Sequence, residues 1–284
     1  MLDVAVVIPN LNGEGVLGSC LSALEAAAGA LRVRAVMVDN ASSDQSVTLV
    51  RRDFPEALVI ENEENQGFAK ACNLGGKAFS SRYVLLLNND VTLSPRSLEA
   101  LVVYADAHPR VGAVTPLMCW PDGRVQGPRL GFAGLLGQEA VALSFAPGTC
   151  LLLRRDALDA VDWLDEAFFF YNEDLDLSWR LKKAGWGIVC LRSVRVQHHE
   201  GVSTRTDLSV RARAMAEGYR GSLTLARKHY PWAIGPVRFA LGLEINWRAS
   251  VARRKERRGE PLSDRERAFL MSVPAAQAAL RLNP

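Results

Sequence analysis

Two amides and a carboxylate, Asn88, Asn89 and Asp90, directly follow the mainly apolar run at residues 83–87. An apolar run of this length between helical-looking stretches is typical of a strand buried on both faces of a parallel sheet. Ligands gather outside the carboxyl ends of the strands in open α/β sheets, so these polar residues are expected at a ligand-binding edge. Asp90 could hold a cation there, although the same residues could also form a plain Asn/Asp turn.

Three earlier, mainly apolar runs predict further strands of the same sheet. They lie at residues 4–8, 34–38 and 58–61, and a helical stretch follows each of them. This β-α-β-α-β alternation over the first 90 residues predicts a doubly wound, mostly parallel α/β sheet flanked by helices.

The polar residues after these runs form a series along the chain. They are Asn10 and Asn12, Asp39 and Asn40, Gly67 and Lys70, and finally Asn88 to Asp90. The carboxyl ends of parallel strands meet at one edge of a sheet, so the series predicts a single ligand site. No GxGxxG follows the first strand and no GxxxxGK[ST] occurs, which disfavours the usual dinucleotide fingerprint and a P-loop.

The whole chain has the composition of an ordinary globular protein. Of its 284 residues, 49% are hydrophobic and 23% charged, and the net charge of +3 gives no argument for nucleic acid. The absence of any CxxC pair argues against a disulfide framework or zinc site and for a reducing compartment. The five cysteines are Cys20, Cys72, Cys119, Cys150 and Cys190. The start of the chain lacks the basic region of a signal peptide, and we expect a cytoplasmic protein.

Several motifs carry a family resemblance. They are Val-Val-Ile-Pro-Asn-Leu-Asn-Gly (6–13), Val-Asp-Asn-Ala-Ser-Ser-Asp (38–44), Asn-Gln-Gly-Phe-Ala-Lys-Ala-Cys-Asn (65–73), Leu-Leu-Asn-Asn-Asp (86–90), and the stretches 147–155, 168–180 and 198–203. In this order they resemble the family 2 glycosyltransferases, enzymes of the GT-A fold that use nucleotide sugars. Within that family the chain is most similar to bacterial rhamnosyltransferase-type enzymes of surface polysaccharide and cell-envelope synthesis.

The resemblance implies a binding site for a nucleotide diphosphate sugar. Asp39 would accept a hydrogen bond from a pyrimidine N–H, and Lys70 would supply charge to the diphosphate. The whole implied set is Pro9, Asn10, Asn12, Asp39, Asn40, Gly67, Phe68, Lys70, Asn73, Asn88 and Asn89. Two simpler interpretations stay open: Asp39 as an Asx-turn residue, and Lys70 as a solvated helix residue.

The resemblance also implies a metal site for Mn²⁺ or Mg²⁺, with Asp90 and His198 as ligands. The family pattern over residues 88–90 is D-x-D. This chain has Asn88 in place of the first aspartate. An amide contributes no charge, so the departure predicts weaker metal binding. Imidazole suits Mn²⁺ better than Mg²⁺ and weakly favours manganese. His199 competes with His198 for the ligand position.

The catalytic base implied by the resemblance is Asp174. Sugar transfer with inversion is a single displacement that needs one base for the acceptor hydroxyl, whereas glycosidases need two carboxylates flanking the bond. Asp174 stands second in Asn172-Glu173-Asp174. Alternatively, Glu173, Asp174 and Asp176 simply solvate the start of a helix over residues 173–184 and favour its dipole.

Residues 205–284 read as a helical, basic appendage to a domain over residues 1–204. Six basic residues between Arg248 and Arg258 stand against Glu256, and aromatic residues punctuate the segment. Such a sequence can lie on an anionic membrane, and residues 230–258 are the predicted point of peripheral contact, on the inner face of the cytoplasmic membrane. A solvated tail and a homodimerisation arm are the alternatives.

The sequence therefore predicts a metal-dependent inverting glycosyltransferase. Its donor would be dTDP-rhamnose or a UDP-sugar, and its acceptor a saccharide or lipid-linked saccharide. A catalytically inactive sugar-nucleotide-binding or scaffold protein of the same fold is one rival, since Asn88 departs from the pattern. A nucleotidyltransferase is another, but it would need a Gly-rich basic loop where the chain has Asn-Leu-Asn-Gly (10–13).

Overall fold

The structure is a computed structural model that describes residues 1–126, 138–199 and 208–281. The chain divides into two compact units, the first formed by Met1–Asp165 with Asp174–Ser203, the second by Glu166–Glu173 with Thr204–Pro284. The sequence-based division at residue 204 stays a prediction, because residues 200–207 around it lie outside the described part. The last motif of the resemblance, at 198–203, is described only at its first two residues.

The first unit is built on one mixed sheet. Its strands are β1 (Leu2–Asn10), β2 (Val33–Asp39), β3 (Leu58–Glu61), β4 (Ser81–Leu87), β5 (Val91–Thr92), β6 (Val111–Cys119), β7 (Ala140–Ala142), β8 (Cys150–Arg154) and β9 (Gly187–His198). They lie in the order β3-β2-β1-β4-β8-β6-β9-β5, and β7 pairs with β9.

The predicted parallel arrangement is found in the first four strands. Strand β1 pairs in parallel with both β2 and β4, and β2 pairs in parallel with β3. The register sets Asn10 opposite Asp39. Strand β8 then enters antiparallel between β4 and β6, which the sequence did not predict. The fold class, an α/β sheet flanked by helices, is confirmed.

Alternate side chains of the central strands face opposite sides of the sheet. In β1, Val6 and Ile8 belong to one hydrophobic cluster and Val7 to another, and all three are fully buried. Burial on both faces explains why these strands are continuous apolar runs. The helices found in the described part of this unit are α1 (Glu14–Ala28), α2 (Ser46–Asp53), α3 (Phe68–Lys77), α4 (Ser97–Ala107), α5 (Arg155–Ala160) and, apart from its first residue, α6 (Glu173–Lys183).

The second unit is helical, as predicted. It contains α7 (Leu208–His229), a short 3₁₀ turn (Pro231–Ala233), α8 (Ile234–Arg257) and α9 (Asp264–Arg281). Its own small core joins one face of each long helix through Tyr219, Ile245 and Phe269. Among the residues that the structure describes, no helix combines the length and apolar character needed to cross a bilayer.

Candidate active site

The ends of β1, β2 and β4 meet through side-chain hydrogen bonds. The Nδ2 of Asn10 donates to Oδ1 of Asp39 at 2.8 Å, and the Nδ2 of Asn89 donates to Oδ1 of Asn10 at 2.7 Å. All three residues are buried. The contacts confirm that these polar strand ends come together, and they hold the Asn10 amide in one orientation.

The Asp39 carboxylate also organises the loop after β2. It accepts hydrogen bonds from the backbone N–H and the hydroxyl of Ser42, at 2.8 and 2.6 Å, besides the one from Asn10. The backbone of Asn12 in turn donates to the Ser42 hydroxyl at 2.8 Å. Three of roughly four acceptor positions of the carboxylate are thus occupied, which leaves room for one ligand N–H. Asp39 therefore serves the loop whether or not it binds a base.

Asn40 ties the end of β2 to the start of α3. Its Nδ2 donates to the carbonyl oxygen of Gly67 at 3.2 Å, and its Oδ1 accepts from Asn62 at 2.8 Å. Gly67 has φ +86°, a backbone conformation that side-chain-bearing residues rarely adopt. Phe68 begins the helix, and Lys70 is exposed in its first turn. The exposed cation fits either of the interpretations that the sequence left open.

Asp90 and His198 face each other across the β5–β9 ladder. Val91 pairs with His198 in the antiparallel register, and the backbone N–H of His199 donates to the Asp90 carbonyl at 3.0 Å. The Nε2 of His198 lies 3.3 Å from Oδ1 of Asp90. Of the two candidate histidines, His198 is thus the one whose imidazole ring lies at the carboxylate.

Gln126 holds the His198 ring from the other side, and sequence reasoning missed it. Its Nε2 donates to the carbonyl oxygen of His198 at 2.7 Å, and its Oε1 lies 2.8 Å from Nδ1 of the same residue. Gln126 ends a small hairpin that folds back on β6, where its N–H donates to the Met118 carbonyl. No motif marks this glutamine, and only the hairpin brings it to the ring.

Asp174 lies in the first turn of α6, against the loop before β8. Its Oδ2 accepts from the backbone N–H of Gly148 at 3.2 Å, and its Oδ1 from that of Leu175 at 2.8 Å. Burial raises the pKa of this carboxyl above its usual range, and the two N–H donors oppose part of the rise. A raised pKa suits a group that must take up a proton during a reaction.

The loop at Gly148 links Asp174 to the end of β4. The carbonyl of Thr149, the next residue, accepts from the N–H of Asn88 at 2.9 Å. A Cβ on Gly148 would lie 3.3 Å from the Phe68 ring and 3.7 Å from Asp174. Asp174, Phe68 and Asn88 therefore border one short stretch of backbone.

The neighbouring carboxylates occupy different environments. Asp176 is fully buried and accepts a hydrogen bond from Nε of Arg180 at 2.7 Å. Arg180 also donates to the carbonyl of Trp163, so this pair holds the helix to the chain after α5. Glu173 is buried as well, whereas Asp174 is half-buried. Of the three, Asp174 alone is open enough to meet a substrate.

Two other predicted site residues, Asn73 and Pro9, take no part in the hydrogen bonds described above. The Asn73 side chain is buried in α3, where it donates to the Leu164 carbonyl at 2.8 Å and accepts from the Leu164 N–H at 3.1 Å. Such engagement disfavours the predicted nucleotide contact. Pro9 is half-buried at the end of β1 and pairs in register with Val38.

Gly13 is a second residue whose importance appears only in the structure. A Cβ at this position would lie 2.1 Å from Oδ1 of Asn10 and 2.4 Å from Nδ2 of Asn89. We expect Gly13→Ala to lower the free energy of unfolding by about 1–3 kcal/mol, because two buried, hydrogen-bonded amides must move. Urea unfolding measures this change.

A matched control is Gly18→Ala within α1, where, outside the helix's own backbone, no atom of the described residues lies within 4 Å of an added Cβ. There alanine is expected to stabilise the protein by about 0.5–1 kcal/mol, because glycine disfavours a helix interior. A Gly13→Ala protein as stable as the Gly18→Ala protein would contradict this account of the strand-end cluster.

The mixed sheet with its flanking helices has the GT-A fold that solved glycosyltransferase structures share. The family model for glycosyl transferase family 2 matches residues 5–162. The chain belongs to glycosyl transferase family 2.

Relatives and solved structures agree with this assignment. The chain is 33% identical over 247 residues to the N-acetylglucosaminyl-diphospho-decaprenol L-rhamnosyltransferase of Mycobacterium tuberculosis, covering 74% of this chain and 80% of the relative. Staphylococcus aureus TarS residues 1–349 superpose with a TM-score of 0.61 at 16% identity, covering 98% of this chain and 90% of that one. The Pyrobaculum calidifontis mannosyltransferase PcManGT, solved with GDP-Man and Mn²⁺, gives 0.59 at 19% identity, covering 98% and 88%. At these identities the two structures establish the fold.

Proposed function

We propose that this glycosyltransferase moves rhamnose from dTDP-rhamnose to a lipid-linked saccharide, with inversion at the anomeric carbon. The transferred sugar and the acceptor follow the M. tuberculosis relative, whose name specifies rhamnose transfer to a diphospho-decaprenol-linked sugar, and the dTDP carrier follows the family resemblance of the motifs. The geometric observation that carries the proposal is Asp174. It is a half-buried carboxylate of raised pKa, joined through Gly148 and Thr149 to the strand end that carries Asn88.

The donor would lie along the ends of β1, β2 and β4. Asp39 keeps an acceptor position for the N–H of a pyrimidine, and Asn10, Asn12 and Asn40 shape the wall beneath the base and ribose. Gly67 brings backbone close to the nucleotide, and Lys70 would attract the diphosphate. The side chain of Phe68, beside Gly148, would border the sugar.

The residues present fit a divalent cation held by Asp90 and His198. The donor of the hydrogen bond to the His198 carbonyl must be the Gln126 amide nitrogen, so Oε1 faces Nδ1, and Nδ1 carries the ring proton. Nε2 is then the ring nitrogen that faces the Asp90 carboxylate, 3.3 Å from its Oδ1, and a cation could bind between the two. Mn²⁺ or Mg²⁺ would neutralise the charge of the departing diphosphate.

Asp174 would accept the proton of the acceptor hydroxyl as its oxygen attacks the anomeric carbon. The bond to the diphosphate breaks as the new glycosidic bond forms, so one base is enough. The N–H groups of Gly148 and Leu175 fix the carboxylate in position. Burial of Glu173 and the bond of Asp176 to Arg180 leave those two carboxylates to support the helix.

A lipid-linked acceptor would bring the protein to a membrane surface. We retain the predicted location, cytoplasmic and peripheral on the inner face of the cytoplasmic membrane, as part of this proposal. Contact through residues 230–258 fits the exposed side chains of that segment. The homodimer stays an open prediction.

A donor panel tests the proposal. Purified protein is incubated with dTDP-rhamnose, UDP-sugars and GDP-mannose, each with and without Mn²⁺ and a lipid-linked N-acetylglucosamine acceptor, and nucleoside diphosphate release is measured. We expect release from dTDP-rhamnose that requires both the metal and the acceptor. Binding without release from any donor would favour the inactive scaffold, the rival that Asn88 suggests.

A further inference from the structure

Helix α8 exposes a row of large apolar side chains. Phe239, Leu243 and Trp247 are 69%, 55% and 68% exposed and follow one another at intervals of four residues. Residues four apart lie on the same face of a helix, so the three form one continuous stripe. Trp232, which is 80% exposed, precedes the helix in the 3₁₀ turn. We call Phe239, Leu243 and Trp247 the outer stripe.

The outer stripe is separate from the face that folds the second unit. Ile245, Ala249 and Ala252 are buried on the inner side of α8, and the first two belong to the small core of this unit. At about 100° per residue, Ile245 lies roughly 160° from Trp247 around the helix. Apolar side chains on the solvent side of a helix that already has a packing face indicate a surface for an outside partner.

Arginines continue the outer stripe toward the end of the helix. Arg254 and Arg258 follow Trp247 by seven and eleven residues, which puts each within about 20° of it around the helix axis. Arg253, Arg254, Arg257 and Arg258 are all exposed. Within the described ranges, no ion pair involves Arg253, Arg254 or Arg257. The partner must therefore offer an apolar layer beside negative charge.

We propose that α8 lies flat on an anionic lipid bilayer. The outer stripe enters the boundary between headgroups and acyl chains, and the arginines bind lipid phosphates. At 1.5 Å per residue the 24-residue helix is about 36 Å long, enough to spread these contacts along the surface. The inference rests on the proposed function for its use, since a lipid-linked acceptor lies in such a bilayer, but its test does not depend on that function.

Vesicle flotation of the full chain tests the proposal. One vesicle contains phosphatidylcholine alone, and the other contains phosphatidylglycerol as well. We expect the protein to float with the anionic vesicles, less so as salt is added, because surface charge is screened over about 8–10 Å at physiological ionic strength. Phe239→Ser with Trp247→Ser should weaken binding by about tenfold or more, because two large aromatic surfaces stay in water. Arg254→Gln with Arg257→Gln should remove much of the salt dependence.

Matched controls alter similar residues elsewhere. Val103→Ser removes a side chain that is 62% exposed on α4, and Arg51→Gln with Arg52→Gln removes two exposed cations from α2. Both should float as the unaltered protein does. Quenching of tryptophan fluorescence by brominated lipids, in the unaltered protein, tests insertion even where a variant folds poorly.

Two results would overturn the proposal. One is failure of the unaltered protein to float or to be quenched, even if it still releases nucleoside diphosphate. The other is a protein that sediments as a dimer and becomes a monomer on loss of the outer stripe, because the occupant would then be a second copy. A membrane-binding protein that turns over no donor would instead contradict the proposed function alone.

Gln126 carries a second, independent inference. Its two hydrogen bonds to His198, at 2.7 and 2.8 Å, fix both the ring orientation and the nitrogen that holds the proton. We infer that Gln126 is a positioning residue that holds the His198 ring with its Nδ1–H toward the Gln126 amide oxygen and its Nε2 aimed at Asp90. The inference deepens the proposed metal site, because partners behind a ligating histidine typically contribute about 10–100-fold to metal affinity.

Two variants separate the roles of its atoms. Gln126→Met keeps the length of the side chain and removes both polar groups, and we expect Mn²⁺ affinity, measured by calorimetry, to fall by about 10–100-fold. Gln126→Glu keeps an acceptor for Nδ1–H and should retain most of the affinity. In metal-free protein, ¹⁵N NMR of His198 should show the Nδ1–H tautomer, and Gln126→Met should show a mixture.

The control is Arg124→Met, which changes an exposed neighbour in the same hairpin and should alter neither measurement. An unchanged tautomer in Gln126→Met, or Mn²⁺ affinity equal to that of the unaltered protein, would overturn this inference. If Asp90→Ala still abolished Mn²⁺ binding, the proposed metal site would stand without Gln126. The tautomer measurement decides the role of Gln126 even if Mn²⁺ binds weakly.

Discussion

Asp174→Asn is expected to lower the rate of sugar transfer by about 10²–10⁴-fold, the usual contribution of a positioned base. The amide keeps the shape of the carboxylate but cannot accept the acceptor proton at neutral pH. Donor affinity should change little, because the donor would be held by the strand ends of β1, β2 and β4. Transfer rate and donor Kd, measured on the same preparation, check both expectations.

Glu173→Gln is the matched control, because it makes the same chemical change one residue earlier at a buried position. It should retain far more transfer activity than Asp174→Asn. The rate in unaltered protein should also fall as the pH drops through the pKa of Asp174, which burial raises, because only the ionised form accepts a proton. Near-normal transfer by Asp174→Asn would assign the base to another group.

Asp90→Ala is expected to abolish the gain in donor affinity that Mn²⁺ provides. It removes the carboxylate that faces His198 at 3.3 Å. Removing a residue that only supports a metal ligand typically lowers metal affinity by about 10–100-fold, so we expect removal of a ligand itself to lower Mn²⁺ affinity by about 100-fold or more. Calorimetry with dTDP, in the presence and absence of Mn²⁺, measures both quantities.

The two adjacent histidines provide the control for this prediction. His198→Ala should reproduce the effect of Asp90→Ala, whereas His199→Ala should leave Mn²⁺ binding nearly unchanged, because the bond of His199 to Asp90 comes from its backbone N–H. Metal-independent dTDP binding, unaffected by Asp90→Ala, would count against the site. If His199→Ala alone lost Mn²⁺ binding, the metal ligand would be His199 and not His198.

Local pattern was enough to predict the parallel half of the sheet and the meeting of its polar ends. The runs at 4–8 and 83–87 are apolar because both of their faces are buried, and the run at 34–38 is apolar after its exposed first residue, Arg34. The parallel register of β1 and β2 then places Asn10 opposite Asp39, as the positions of these residues at the ends of the two runs predict. The basic, aromatic C-terminal segment likewise reads as helical from its composition.

Contacts between segments that are far apart in the chain could not be predicted from the sequence. Strand β8 pairs antiparallel with β4, and no local residue signals that direction. Gln126 reaches His198 across 72 positions of sequence, and Asn73 meets the backbone of Leu164 across 91. Each depends on the folded path between distant segments. The motif resemblance suggested Asn73 as a binding residue, and only its buried partners argue for a packing role.

The most direct test of the central claim is the anomeric configuration of the product. The protein, dTDP-rhamnose, Mn²⁺ and a lipid-linked N-acetylglucosamine acceptor are incubated, and the glycolipid is examined by NMR. The account predicts a single new rhamnoside of configuration opposite to that of the donor, formed with Mn²⁺ and absent with Asp174→Asn. A product that retains the donor configuration, or one formed equally well by Asp174→Asn, would contradict it.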